Sequence, residues 1–310
     1  MMTFETFGEL LVYCIGPYVT LFFFSILTVI ITLLTGIFIF QFLPESPFYL
    51  LSKQRRSLAE NALILLRNDT RDGVKLELEY IQAIIQESEH TQGRIVDLCE
   101  SKASRRAEIT TIGLTIFQHF SGILPIVLYS QDIFNVTGSK IPAEYCTMSF
   151  GAIQFLSSFI APNLVDRLGR RWMLFLSGMG MAVSEFALGL YFYRKDNGMT
   201  IDKMFWLPVA SLLIFIVSYI SGFGPLIWTI MSEMFPIHLK AAAFSVGFCI
   251  WWMLAFIVGA IFYPVSNAIG MSGCFWMFAS CGFAGTIFIW AYVIETKGKS
   301  LQEIQQLLSK

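Results

Sequence analysis

Charge is scarce in this sequence of 310 residues. Only 14% of the residues are charged and the net charge is −1, whereas soluble domains carry about 25% charged residues. Because there is no basic excess, the composition gives no support to nucleic-acid binding. Apolar residues make up 55% of the chain and the mean hydropathy is +0.65. The shortage of charge excludes a soluble globular domain and a disordered chain, and it predicts a helical membrane protein.

Residue patterns that carry enzyme or metal chemistry are also missing. The three histidines are scattered, and the six cysteines contain no CxxC pair, so we expect no metal site. Phosphate-binding, dinucleotide-binding, GxSxG and HExxH motifs do not occur. We therefore expect neither an enzyme nor a bound cofactor, and we interpret the cysteines as free thiols that pack as small apolar groups.

Charge-free runs indicate where the chain crosses the membrane. A bilayer core of about 30 Å needs a helix of about 20 apolar residues. Five runs of 35, 23, 21, 29 and 54 residues contain no Asp, Glu, Lys or Arg. The first and the last are long enough for two spans each, with breaks near Gly16-Pro17 and within residues 263–270, and one more span contains a single acid, Glu185. We predict eight spans, at 5–21, 23–43, 109–133, 145–165, 172–193, 205–231, 241–263 and 272–294.

The distribution of Lys and Arg predicts the topology. Seventeen of the 21 cations lie on one side of the eight-span arrangement, in loop 44–107, in segment 166–171, at Lys240 and in the tail. Loops rich in Lys and Arg stay cytoplasmic, so both termini are predicted to be cytoplasmic. An even number of spans follows, which disfavours a seven-span receptor. Four cations are placed outside against the rule: Lys140, Arg194, Lys195 and Lys203.

Loop 44–107 is the one large soluble segment. Apolar residues at helical spacing predict two or three short amphipathic helices packed on the cytoplasmic face. A helix lying in the membrane surface is the alternative, but ten cationic and ten acidic residues disfavour it. The residues that define these helical faces are Leu58, Ala62 and Leu65, followed by Leu78, Ile81, Ile84 and Ile85.

Four short charged motifs lie at the predicted cytoplasmic ends of spans. They read PESP at 44–47, DRLGRR at 166–171, SEMFP at 232–236 and ETKGKSL at 295–301. Ion pairs among these ends would form a latch with two states. The alternative is that each charge is only a solvated flank. The residues predicted to form the network are Glu45, Asp166, Arg167, Arg170, Arg171, Glu233 and Lys240.

Two further motifs, Gln-x-x-Ser-Gly at 118–122 and Gly-Pro-x-x-Trp at 224–228, complete an ordered series. The series resembles the sugar-porter branch of the major facilitator superfamily, and within it the insect facilitated trehalose transporters. The resemblance implies twelve spans in two six-helix bundles, with the substrate path between them. This chain is similar to the last two spans of the first bundle and to all of the second, which implies an N-terminally truncated form.

The resemblance therefore implies an all-α, major-facilitator-type bundle. We expect residues 1–43 to supply two spans of the N-terminal bundle and residues 108–294 to form the C-terminal bundle. Residues 44–107 would be a cytoplasmic helical linker, and residues 295–310 a cytoplasmic tail.

The same resemblance implies the substrate-binding residues. His119 stands where the family has a glutamine, and Leu124, Ile250 and Leu254 stand where it has amides. Interhelical hydrogen bonding is the alternative role for the glutamines, and core packing is the alternative for the tryptophan. The hinge is expected at Gly222, Gly224 and Pro225, since Gly and Pro weaken a helix. The predicted substrate contacts are Gln118, His119, Gln154 and Trp228, with Tyr129 further along the same predicted span as the first pair.

The expected function is facilitative transport of a hexose or a trehalose-like sugar by alternating access, in the plasma membrane. A sugar and the lipid bilayer are the expected partners, together with association with other transporter chains. One alternative is a sensor, regulator or remnant that does not transport. A second alternative is a proton-coupled symporter, because an acid inside a span, here Glu185, is a functional candidate and His119 lies in another. For Glu185 a structural role is the competing interpretation.

Overall fold

The computed structural model describes residues 2–90, 95–137, 142–199 and 204–309, and every regular element in these ranges is helical. Two of the predicted outer cations, Lys140 and Lys203, lie outside the described residues. The α-helices are α1 Met2–Ile15, α2 Leu21–Phe42, α3 Pro47–Ser52, α4 Arg56–Arg67, α5 Arg71–His90, α6 Lys102–Phe120, α7 Ile123–Leu128, α8 Ser130–Thr137, α9 Ala143–Leu168, α10 Arg170–Asp196, α11 Leu207–Ser221, α12 Phe223–Met234, α13 Ile237–Tyr292 and α14 Leu301–Ser309. Short 3₁₀ helices cover Gly16–Tyr18 and Ile95–Cys99.

The chain divides into two compact units. The first contains Met1–Tyr18 and Ile95–Lys310, and the second contains Val19–Arg94. The assignment of residues 1–43 to one bundle and of 108–294 to another stays a prediction.

The first unit is a helical bundle with α10 at its centre. Helix α10 packs against α13 and α11, α6 packs against α13, and α9 packs against α11 and α1. Large apolar side chains fill the space between the helices, among them Leu114, Phe150, Phe215 and Phe275, none of which is more than 1% exposed. The short α14 packs beneath the bundle on α6 and α12. Burial in this unit thus fixes the helices that carry the predicted site.

Six helices among the described residues are long and apolar enough to cross a membrane, in agreement with the membrane prediction. The last of them, His238–Tyr292, is interrupted at Gly270, whose φ of 75° and ψ of 164° are not helical. At 1.5 Å per residue its 55 residues are about 80 Å long, enough for two crossings. The break lies at the end of the predicted segment 263–270, and Pro264 remains inside the helix.

The predicted first span is the weakest part of the eight-span count. Helix α1 has 14 residues and is followed by the 3₁₀ helix Gly16–Tyr18, so it is shorter than the ~20 residues that a span needs. It is not one of the six candidate helices. The count of eight stays a prediction.

The second unit joins the apolar α2 to a cluster of three helices of 6, 12 and 20 residues. No residue of α2 is buried, whereas α3, α4 and α5 share a small apolar core. The sequence predicted these amphipathic helices, but the predicted face of α4 is only partly buried. Ala62 is buried, whereas Leu58 and Leu65 are 49% and 66% exposed, because the buried side of α4 runs through Ala59, Ala62 and Leu63.

Candidate functional site

Gln118 lies near the carboxyl end of α6 and is 1% exposed. Its Nε2 donates to the hydroxyl of Tyr219 at 3.0 Å and to the carbonyl oxygen of Phe223 at 3.3 Å. Its Oε1 accepts from Nε1 of Trp251 at 3.0 Å. The amide therefore joins α6 to α11, α12 and α13. We call Gln118, Tyr219 and Trp251 the amide cluster.

The neighbouring His119 is equally buried. Its Nδ1 lies 3.0 Å from the carbonyl oxygen of Thr115, so this nitrogen must carry the proton, because a carbonyl only accepts. The imidazole packs edge-on against Trp251 with 4.8 Å between ring centroids. His119 thus touches the amide cluster through an aromatic contact.

Trp228 also meets the amide cluster through Trp251. Its ring stacks on Phe248 at 4.3 Å and lies 6.4 Å from Trp251. Three of the five predicted substrate contacts, Gln118, His119 and Trp228, therefore converge on Trp251. The sequence did not single out Trp251 or Tyr219 because an aromatic residue in an apolar run carries no polar signal.

The other two predicted contacts have different neighbours. Gln154 on α9 is buried, and its Nε2 donates to a carboxyl oxygen of Glu9 on α1. Tyr129 stacks on Phe262 at 5.4 Å and meets Tyr263 at 4.7 Å. The sequence did not single out Glu9, because it lies at the edge of a charge-free run and looks like an ordinary flanking charge.

The predicted hinge corresponds to a real break between α11 and α12. Gly222 has φ −142° and ψ −76°, which interrupts the helix. The hydroxyl of Ser177 bridges the gap, since its Oγ donates to the carbonyl oxygen of Ser218 at 2.7 Å and accepts from the N–H of Phe223 at 3.0 Å. A Cβ on residue 222 would lie 2.8 Å from the carbonyl oxygen of Met173, so a glycine is needed there. Through Phe223, whose carbonyl accepts from Gln118, the break is continuous with the amide cluster.

The other two hinge residues follow within α12. Gly224 and Pro225 occupy its first turn. Proline is tolerated there because the first N–H groups of a helix lack intrahelical partners.

Three of the four charged motifs meet in the first unit. Arg170 pairs with Glu233 at 3.2 Å and with Asp166 at 3.6 Å. Glu233 also accepts from the hydroxyl of Thr296 at 2.5 Å. The carboxylate of Glu295 accepts from the N–H groups of residues 170 and 171 at 3.0 and 3.1 Å, and so caps the start of α10. A carboxylate is favourable at a helix N-terminus because of the exposed N–H groups and the helix dipole.

The remaining network residues do not form ion pairs within the described part of the chain. Arg171 donates to the carbonyl oxygen of Trp290 at 2.6 Å, and its guanidinium lies 4.9 Å from the centre of the Trp290 ring. Arg167 contributes its carbonyl oxygen, which accepts from Nζ of Lys297 at 2.8 Å. Lys240 is half-buried.

The last predicted network residue, Glu45, belongs to the second unit. It lines a groove of about 300 Å³ there, together with Pro44, Leu50, Leu58, Asn61, Ala62 and Leu65.

Sequence comparisons connect this arrangement to known transporters. The profile of the sugar (and other) transporter family matches residues 3–308. The chain is 36% identical over 266 residues to the facilitated trehalose transporter Tret1 of Anopheles gambiae, covering 85% of this chain and 33% of that protein. Against Tret1 of Culex quinquefasciatus the identity is 37%, covering 85% and 51%. The chain thus spans between about a third and about half of the length of these relatives.

Solved structures show the same architecture. The proton:xylose symporter XylE bound to 6-bromo-6-deoxy-D-glucose superposes with a TM-score of 0.77 at 24% identity, covering 99% of this chain and 66% of that one. A partially occluded inward-open conformation of XylE from E. coli gives a TM-score of 0.73 at 25% identity, covering 96% and 62%. With a profile that matches nearly its whole length and a fold shared with major facilitator proteins, this multi-pass membrane chain belongs to the sugar transporter family of that superfamily.

Proposed function

We propose that the chain takes part in the facilitative transport of a sugar, a hexose or a disaccharide such as trehalose, rather than in an enzymatic reaction. The relatives named above are trehalose transporters, which directs the proposal to that class. The observation that carries it is the amide cluster: a buried glutamine inside a membrane helix, hydrogen-bonded to a tyrosine and a tryptophan. A polar side chain in such a position is costly and is usually kept for function.

The amide cluster has the chemistry that a sugar requires. Gln118 offers two N–H donors and one carbonyl acceptor, and in this conformation all of them face protein groups. Sugar hydroxyls would replace Tyr219 and Trp251 as partners of the amide, and sugar oxygens would in turn accept from the Trp251 N–H and the Tyr219 O–H. The ring of Trp228 would supply an apolar surface for the C–H face of the sugar. Binding would thus exchange hydrogen bonds rather than leave any unpaired.

The break at Gly222 provides a place where the helix could bend during alternating access. Because the Phe223 carbonyl contacts Gln118, a change at the amide would be transmitted to the junction of α11 and α12. At the other end of α12, Glu233 pairs with Arg170. We propose that two bundles rock against each other, with both termini cytoplasmic and the protein in the plasma membrane. The Arg170–Glu233 pair lies within the predicted C-terminal bundle, where it would hold the ends of α10 and α12 together during that motion.

The test is uptake of radiolabelled trehalose and glucose by proteoliposomes containing the folded chain. We expect saturable uptake. Gln118→Leu should raise the half-saturation concentration about tenfold, because one to two hydrogen bonds contribute ~1–2 kcal/mol. Gln131→Leu is the matched control, since that glutamine is exposed on α8, and it should transport normally. A folded chain without saturable uptake would contradict the proposal and favour a non-transporting role, in which the chain associates with other transporters.

Proton coupling is a second candidate because of Glu185. This residue is 1% exposed on α10, and neither carboxyl oxygen has a hydrogen-bond partner within the described residues. A carboxyl group so placed is more stable in its neutral form. Coupling predicts uptake that increases with an imposed pH gradient in the wild type and not in Glu185→Gln. Uptake that ignores the gradient would reject coupling and leave Glu185 a structural role.

A further inference from the structure

Polar side chains line the contact between α1 and α9. Thr6, Glu9 and Tyr13 are three or four residues apart, so they share one face of α1. The hydroxyl of Thr6 lies 3.4 Å from that of Ser158 on α9, and the Tyr13 hydroxyl donates at 3.0 Å to the carbonyl oxygen of Val127, which belongs to α7. The Glu9–Gln154 contact lies between these two positions. This contact is therefore the centre of the polar face.

One atom in this interface lacks a partner. Gln154 is 4% exposed, and its Oε1 is buried without a hydrogen-bond donor in the part of the chain that the structure describes. Its Nε2 already donates to Oε2 of Glu9. An ionised carboxylate can only accept, whereas a protonated carboxyl group has one O–H to donate. An amide and a carboxylic acid can join through two complementary hydrogen bonds, and the proton would supply the one that Oε1 lacks.

We propose that Glu9 and Gln154 form a proton-binding site that fastens α1 to α9. In the protonated state the amide N–H donates to the carboxyl carbonyl and the carboxyl O–H donates to Gln154 Oε1. When the proton leaves, one of these bonds is lost and Oε1 is again unpaired. The ligand of the site is thus a proton, and the contact between the two helices is tighter when it is bound.

The surroundings of Glu9 hold no cation that could balance a carboxylate. The groups within electrostatic reach are Glu5 and Tyr13 on α1 and Tyr219 on α11, in addition to Gln154 on α9. None of them carries a positive charge, and none of the ion pairs among the described residues includes Glu9. Loss of the proton would place a second negative charge one helical turn from Glu5 with no cation to balance it.

The experiment measures the thermal unfolding midpoint of the full chain in lipid nanodiscs from mildly acidic to mildly alkaline pH. We expect the wild-type midpoint to fall as pH rises, because the folded protein loses a hydrogen bond with the proton. Glu9→Gln keeps two complementary hydrogen bonds at every pH, so at least half of that fall should disappear. Gln154→Leu should lower the midpoint at acidic pH but keep a pH-dependent fall, because the acid remains and only its amide partner is lost.

Two further variants identify the source of the effect. Exchange of the pair, Glu9→Gln with Gln154→Glu, restores an acid next to an amide and should restore the pH dependence. Glu5→Gln is the matched control on the same helix. In Glu5→Gln the unfolding midpoint should still fall as pH rises, but the fall should occur at lower pH, because one negative charge near Glu9 is removed.

An infrared measurement avoids unfolding altogether. Compared with the wild type at the same acidic pH, Glu9→Gln should lack one protonated-carboxyl component of the carbonyl band, and the exchanged pair should regain it. Glu185 contributes equally in all three proteins. A full wild-type pH dependence in Glu9→Gln, or an unchanged carbonyl band in that variant, would overturn the proposal. Both readouts are independent of sugar uptake, so failure of the proposed transport function would leave this test intact.

Discussion

An indole N–H can donate but not accept, so Trp251 determines how the Gln118 amide is oriented. With Oε1 held by Trp251, the amide nitrogen must face Tyr219 and the Phe223 carbonyl. One apolar-looking residue therefore fixes the donor and acceptor directions at the centre of the candidate site. His119 and Trp228 pack against the same indole. At the scale of residues, Trp251 organises the site more than any of the predicted contacts does.

This arrangement makes a prediction about stability. Gln118→Leu should lower the free energy of unfolding by ~1–3 kcal/mol, because it leaves the Trp251 N–H without an acceptor. Adding Trp251→Phe should recover part of that loss, since removal of both partners costs less than removal of one. Thermal unfolding in detergent would measure both variants. Equal and additive losses in the double variant would contradict the hydrogen bond as the cause.

A second residue-level prediction concerns pH and the start of α14. The pKa of Glu303 is lowered mainly because the backbone N–H of Ser300 donates to its carboxylate, with help from the Ser300 hydroxyl and the charge of Lys299. A lowered pKa in the folded state means that the contribution is present above the usual carboxyl pKa and is lost as pH falls through the lowered value. Hydrogen exchange of residues 301–309 should therefore become faster in acid, after correction for intrinsic rates. Glu303→Gln should remove this dependence, and an unchanged profile in that variant would contradict the assignment.

At the scale of helices, the break at Gly222 is built jointly by two segments of the chain. A broken helix exposes backbone groups that must find partners in a membrane. Ser177 on α10 satisfies one carbonyl and one N–H at the junction of α11 and α12. The junction therefore depends on a hydroxyl that is distant in sequence, and Gly and Pro alone do not account for it.

Removal of that hydroxyl tests the idea. Ser177→Ala should destabilise the protein by ~1–3 kcal/mol, because it leaves the Phe223 N–H and the Ser218 carbonyl without this partner. Ser280→Ala is the matched control, since Ser280 is exposed and its hydroxyl bonds only within its own helix. The midpoint of denaturant unfolding distinguishes the two variants. A similar effect of both substitutions would argue against a special role for Ser177.

The sequence predicted the positions of the helices better than it predicted which helix faces are buried or which side chains form hydrogen bonds. Charge-free runs located the apolar helices, and the Pro, Ser, Asn and Gly cluster located the break that occurs at Gly270. On α4, spacing placed Ala62 correctly on the buried face but also placed Leu58 and Leu65 there, whereas the helix packs through Ala59, Ala62 and Leu63. Within the candidate site, Gln118 was predicted from its motif. Its partners were not, since the contact between Gln118 and Trp251 spans 133 residues and leaves no local pattern.

At the scale of the whole molecule, the charged motifs act as junctions between distant segments. The carboxylate of Glu295 caps α10 across 125 residues of sequence. Residue 169 must be glycine there, since its φ is 93° and a Cβ would lie 2.7 Å from Oε2 of Glu295. Arg170 and Glu233 add an ion pair at the same place. These contacts gather helix ends on one side of the first unit, which is the side that the distribution of Lys and Arg predicts to be cytoplasmic.

Labelling of single cysteines in cells tests that topology. Three predicted spans separate Cys99 from residue 197, so the two positions should lie on opposite sides of the membrane. Cys99 is exposed, and so is Asn197, which makes both accessible to a membrane-impermeant maleimide. The starting chain would have Cys14 and Cys249, the other exposed cysteines, replaced by alanine.

The two sites should give opposite labelling patterns. Cys99 should react only after the cells are permeabilised. Asn197→Cys, in a chain that also carries Cys99→Ala, should react in intact cells. Reaction of both sites from the same side would contradict an odd number of crossings between them. The reverse pattern would keep the crossings but place the charged motifs outside, and the cation distribution would then fail as a guide for this chain.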